Sequence, residues 1–213
     1  MDITIYNGYY ISVDNYPNQT QKDNNARLVG EYLLNLGWTR QAVAGILGNM
    51  EVESRMNPAI VEHTPFTALV DNYAILSLPT DTGVGLVQWT GHTDTPPAGQ
   101  KLASFAIRYN REWYDGDLQC FRLQRECEEN IQFDEGTIHG VTYDWDVYIS
   151  STAEPEELAL VWQTLYERGG SDTLQRQTWA RYYYDLIFPK MKPWLLFQFT
   201  KRRKEGKPRW LRT

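Results

Sequence analysis

Cysteine, histidine and long apolar runs are scarce in this 213-residue chain: it has two Cys and three His. Cys120 and Cys127 are seven residues apart in a helix-like stretch, where ~1.5 Å of rise per residue separates them by ~10 Å. That is beyond disulfide reach. They share an apolar stripe with Leu123 and Ile131, so they are read as small buried hydrophobes. A thiol peptidase, which needs an exposed and electropositive cysteine, is disfavoured. His63, His92 and His139 show no His-x-x-Glu-His spacing, and there is no Cys-x-x-Cys, so no metal is expected. Gly83-Val-Gly85 lacks the Lys-Ser/Thr of a phosphate loop, which disfavours nucleotide binding; no cofactor is expected. The longest apolar stretches, such as 42–47 and 194–197, fall far short of the ~20 residues of a membrane span. The residues after Met1 show no basic, apolar and small-residue succession, so no secretory signal is expected.

Aromatic residues, by contrast, are plentiful: eight Trp, fourteen Tyr and seven Phe. Such a chain can bury a sizeable core and does not have the composition of a disordered one. Its length fits one main domain with appendages. The net charge of −6 hides a division. Residues 189–213 carry nine Lys or Arg against Glu205 alone, a charge of +8, and residues 1–188 carry −14.

Two β-prone runs, Ile3 to Tyr6 and Tyr9 to Ser12, flank Asn7-Gly8, which predicts a small hairpin with a type I′ turn. Residues 13–25, rich in Asn, Asp, Gln and Pro, read as a linker. Helical periodicity then predicts helices from Arg27 to Leu36, Arg40 to Ser54 behind a Thr39 cap, Lys101 to Trp113 and Leu118 to Ile131. Residues 59–82 show no period, and long loops in compact domains are often functional. Residues 133–150 read as loop or short strand. A helix from Glu156 to Arg168 follows Pro155, and Asp172 with Gln175 forms a capping-box pattern for a last helix reaching about Ile187. The fold class is mostly α, with short β elements (α+β). The expected division is 1–25 hairpin and linker, 26–188 main domain, and 189–213 basic aromatic tail.

The chemistry is sought in Gly48-Asn49-Met50, Glu53-Ser54 and Asn57-Pro58, and then in Gly83-x-Gly85-Leu86-x-Gln88-Trp89. A carboxyl at the end of an apolar helix face suits a cleft. Desolvation beside Ile46 and Met50 would raise its pKa toward that of a general acid. The helical wheel places Glu51 and Glu53 on opposite borders of the apolar stripe and does not choose between them.

These two motifs, in this order, resemble the phage tail lysozyme family, whose virion-borne enzymes cut peptidoglycan during entry. The Glu-Ser and Gly-Leu-x-Gln elements are also similar to those of goose-type lysozymes and soluble lytic transglycosylases. The resemblance covers roughly 25–188, where Tyr166-Glu167-Arg168 and the following helix match the closing element. It implies a lysozyme-like helical domain with short β elements near a cleft, and Glu53 as proton donor to the glycosidic oxygen. Ser54 either bonds near that carboxyl or terminates the helix. Gln88 either contacts sugar or completes a tight turn in which Gly83 and Gly85 allow close backbone approach. Tyr166 either binds sugar or sits in the core.

Hydrolysis usually needs a second carboxylate. Asp81 is the candidate, with Glu62 and Asp71 as rivals; lytic transglycosylases act with one Glu and the sugar's own 6-hydroxyl. The implied partners are bacterial peptidoglycan and other phage tail proteins, met through the hairpin or basic tail at a tail tip or knob. No specific nucleic acid is expected. The rival reading is a structural tail protein that keeps the fold without catalysis.

Overall fold

A computed structural model of the chain describes residues 3–79, 81–89, 98–169 and 171–188. The basic tail, His92 and Met1 lie outside the described residues. Strands β1 (Thr4–Tyr6) and β2 (Tyr9–Ile11) pair antiparallel with Tyr6 opposite Tyr9. Asn7 and Gly8 take φ of 50° and 90°, the positive pair that a type I′ turn requires. The hairpin is tied to the body: Tyr9 and Ile11 are fully buried, and the Tyr9 hydroxyl donates to Asp117 at 2.9 Å.

Helix α1 (Gln19–Asn35) begins inside the stretch expected to be linker. Its start is set by a reciprocal cap in which the Asn18 side chain accepts from the Gln21 amide and the Gln21 side chain accepts from the Asn18 amide. Helix α2 (Arg40–Ser54) opens on Thr39 and ends at Ser54, as its pattern predicts, and it closes on Arg55 in the left-handed region. The aperiodic segment after it contains a short helix, α3 (Asn72–Leu76), capped by Asp71. Then come α4 (Ala98–Arg108) and α5 (Gly116–Glu128). The region read as loop or strand holds both a hairpin, β3 (Gly136–Ile138) with β4 (Val141–Tyr143), and a helix, α6 (Trp145–Ser150). Alternation there concealed a turn of helix that Asp144 caps and that buries Trp145 and Tyr148 one turn apart. Helices α7 (Pro155–Leu165) and α8 (Thr173–Ile187) complete the body. The Asp172 capping box does not form, because its side chain makes no cap bond.

Helix α2 is buried around most of its circumference, the signature of a central helix. Two glycines let its neighbours approach. A Cβ on Gly45 would stand 2.9 Å from the Leu158 backbone of α7, and one on Gly48 would stand 2.4 Å from the Arg176 carbonyl of α8. The three backbones therefore pack at contact distance. An aromatic cluster caps them, with Trp162 stacked on Tyr166 at 4.1 Å and Trp145 edge-on to both. Cys120 and Cys127 are free and buried, and burial pushes both thiols up, Cys127 to about 11. No helix among the described residues is long and apolar enough to cross a membrane.

Candidate active site

The close approach at Gly48 lays Arg176 of α8 beside Asn49 and Glu53, one turn apart on the same face of α2. Asn49 is fully buried and joins three elements. Its amide donates to the Gly45 carbonyl at 2.9 Å and to the Ala159 carbonyl of α7 at 3.1 Å, and its oxygen accepts from Arg176 at 2.9 Å. The other terminal nitrogen of Arg176 reaches Glu53 Oε1 at 2.5 Å. Glu53 is thus held by an ion pair rather than by the apolar surroundings expected from Ile46 and Met50. Its side chain remains 21% exposed, against 5% for Arg176.

Glu51, two residues earlier, points elsewhere. It is 4% exposed, pairs with Lys22 at 2.5 Å and accepts from the Tyr183 hydroxyl at 2.7 Å. Tertiary contacts thus place the two glutamates differently. Glu51 staples α1 and α8 to α2, and Glu53 lines a cleft of about 680 Å³.

Besides Glu53 of α2, five parts of the chain line the cleft. The segment after β2 contributes Tyr16, whose ring lies 4.3 Å beneath the Arg55 guanidinium. That segment is anchored by Asn57, which donates to the Ser12 and Asn15 carbonyls and accepts from the Ser12 and Ala59 amides. The loop at 60–63 and the Gly-rich turn contribute Ile60, Val61, Glu62, His63 and Gln88, joined by the Val61–Val84 bridge. The end of α7 adds Glu167 and Gly169, and α8 adds Arg176.

Gly83 and Gly85 make the Gly-rich turn possible, and the groups that approach them closely are protein side chains. A Cβ at Gly83 would meet the Gln88 side chain at 2.5 Å, and Gly85, at φ 80°, would meet Gln119 at 2.8 Å. Gln88 itself holds φ 47° and donates to the Gly85 carbonyl at 2.8 Å while facing the cleft.

The other residues singled out in the sequence are placed differently. Ser54 is fully buried and donates back to the Met50 carbonyl at 2.8 Å, closing the last turn of α2. Tyr166 is 2% exposed, and its hydroxyl donates to the buried Glu126 at 2.7 Å. Asp81 is exposed and does not line the cleft; Asp71 caps α3, and of the rival acids Glu62 alone faces the cleft. His63 lies on the rim beside Glu62, and His139 pairs with Glu157. Among the described residues no group of three or more His, Cys, Asp or Glu is arranged to hold a metal.

Sequence reasoning did not assign a role to Glu167 or Arg176. Glu167 follows the C-terminal turn of α7, and its carboxylate accepts the indole N–H of Trp162 at 2.9 Å. Burial pushes this carboxyl up to about 8, and the charge of Glu53 adds to the effect. The Trp162 bond and Arg176 oppose it. The cleft thus joins three carboxyls, Glu53, Glu62 and Glu167, and a guanidinium in a space of the size small ligands fill, an arrangement suited to proton transfer. Glu167 was visible in the sequence as the middle of Tyr166-Glu167-Arg168, but its environment depends on contacts more than 100 residues apart.

Residues 24–187 match the family described as phage tail lysozyme. A curated relative, Morphogenesis protein 1 of Bacillus phage B103, is 29% identical over 182 residues, which are 85% of this chain and 44% of that protein. The chain therefore spans less than half the length of that relative.

Proposed function

The chain belongs to the phage tail lysozyme family, and from that premise we propose that it is a virion-borne muramidase. It cuts the β-1,4 bond between N-acetylmuramic acid and N-acetylglucosamine for local wall penetration during entry, at the tail tip. The observation that carries this reading is the position of Glu53: it ends the central helix, faces an open cleft, and has Arg176 at 2.5 Å. Glu53 gives its proton to the glycosidic oxygen, and the carboxylate left behind is already faced by a guanidinium, so its new charge is balanced without rearrangement. Gln88 faces the same cleft and supplies polar contact to sugar.

The −14 body gains no attraction to an anionic wall, so affinity comes from the cleft, and the basic tail supplies attachment to neighbouring virion proteins. The hairpin offers a second contact, since Ile5 on its outer strand is 61% exposed.

A second reading is favoured by the relative's name and by its greater length: a tail protein in which this fold serves assembly without catalysis. Zymogram clearing of purified cell wall separates the two. The wild type clears and Glu53→Gln does not, with turnover reduced by about 10²–10⁴ for loss of the acid. Clearing that survives Glu53→Gln overturns the mechanism, and a wild type that clears no wall from its host supports the assembly reading. Product mass then separates hydrolysis from transglycosylation, because 1,6-anhydro ends are lighter by one water.

A further inference from the structure

Glu53 can act as an acid only if the cleft retains a proton next to an ion-paired carboxylate. Glu167 has the position for that task. Its carboxyl is fixed by a neutral donor, Trp162 Nε1 at 2.9 Å, and that indole is itself immobilised by burial and by its stack on Tyr166. The charged groups around it come from every wall. Glu53 stands on α2 and Arg176 on α8, Glu126 lies on α5 behind the aromatic stack, and Glu62 and His63 are on the facing loop. Arg176 is the shared cation. Its two terminal nitrogens are engaged by Asn49 and Glu53, while its buried Nε has no acceptor. Two carboxylates facing one guanidinium in a half-buried site carry an excess negative charge, which one proton removes.

Resting on the muramidase reading, we propose that Glu167 is the second carboxyl of the reaction, and that Glu53 and Glu167 hold one proton between them. In the empty cleft that proton resides on Glu167 and Glu53 pairs with Arg176; in the reactive arrangement it is on Glu53 and Glu167 is ionised. Both belong to one macroscopic titration. The bond between C1 and the glycosidic oxygen breaks as that oxygen takes the proton from Glu53. The oxygen of water, or the sugar's own 6-hydroxyl, bonds to C1, and its proton passes to Glu167. The pair again holds one proton, and the other atoms of the attacking group leave with the product. Because burial and the charge of Glu53 both raise the Glu167 carboxyl, the pair keeps its proton at neutral pH and loses it as the medium turns alkaline.

The test uses the whole chain and purified peptidoglycan. In the wild type, kcat/KM falls on an alkaline limb near pH 8. Glu167→Gln keeps the shape and the Trp162 contact. It lowers kcat by about 10²–10⁴ and abolishes the limb near pH 8, while wall binding in a pull-down is unchanged. A variant that keeps both turnover and limb overturns the assignment. Carboxyl 13C NMR reads the pair without activity. The Glu167 resonance, identified by its loss in Glu167→Gln, titrates well above ordinary glutamate in the wild type and shifts to lower pH in Glu53→Gln. Titration in the ordinary range, or no response to Glu53→Gln, overturns the shared proton even where Glu167→Gln does not fold. A wild type with the paired titration but no activity on any wall overturns the reaction role together with the muramidase reading.

Discussion

Among the described residues two glutamates accept an indole N–H, and they differ in what water can reach. Glu126 takes the N–H of Trp89 at 3.1 Å and the hydroxyl of Tyr166 at 2.7 Å, with Arg122 Nε at 3.1 Å, and it is 4% exposed. Glu167 takes the N–H of Trp162 and opens on the cleft. The stacked pair Trp162 and Tyr166 connects the two sites. Burial raises both carboxyls. A perturbed carboxyl alone therefore does not distinguish a strut from a working group; the cleft and the presence of a second carboxyl do.

The largest effect expected from this contrast is on stability. Glu126→Ala leaves the Arg122 charge buried without its counter-ion and the Tyr166 hydroxyl and Trp89 N–H without their acceptor, a loss of about 3–5 kcal/mol. Thermal unfolding followed by circular dichroism would then show a midpoint lower by roughly 10 °C for a domain of this size. A loss under about 1 kcal/mol would mean that the Glu126 network is hydrated, and the contrast with the cleft would disappear.

Glu167→Gln should act in the opposite direction. A carboxyl whose folded pKa lies above its unfolded value of roughly 4.3 stabilises the fold fully below that value. The contribution is lost as pH rises through the folded value, near 8. The glutamine variant lacks this dependence. It should be more stable than the wild type at pH 8, with the gap closing toward pH 5. Equal stability of the two proteins at every pH would show that the Glu167 carboxyl is as well accommodated as a surface glutamate.

Much of the fold was legible because its signals are local. Asn7-Gly8, Thr39 before α2 and Pro155 at the start of α7 each act within one turn of chain. Glu53 was singled out by its motif alone, and the reason that it lines the cleft is tertiary. The signals that misled were also local: Asp172 with Gln175 has the capping spacing, yet the Asp172 side chain makes no cap bond. Residues 141–149 alternate like a strand, and 141–143 do form β4, yet burial of Trp145 and Tyr148 favours a helix after it. Tyr166 lay beyond local reasoning, since its role depends on Glu126, forty residues away. Glu167 and Arg176 acquire their positions only where α7 and α8 close on Gly45 and Gly48. Those two glycines, spaced three apart before Asn49, are the one sequence trace of that packing.

The smallest expected effect is the sharpest test, because it compares the two indoles directly. Trp162→Phe removes a donor that favours the ionised form of Glu167, so the Glu167 carboxyl rises further and the alkaline limb of activity moves to higher pH. One neutral hydrogen bond is worth about 1 kcal/mol, and a pKa unit is about 1.4 kcal/mol, so the shift should be roughly half a unit. Trp89→Phe removes the equivalent donor from Glu126. It should lower stability by about 1 kcal/mol or more and leave the limb where it was, since Glu126 is buried and does not line the cleft. Both variants also lose ring volume, so a packing defect alone would weaken both proteins and move neither limb. A limb that moves with Trp89→Phe and not with Trp162→Phe would reverse the assignment of the two carboxyls, and parallel shifts would show that the aromatic stack couples them into one titrating unit.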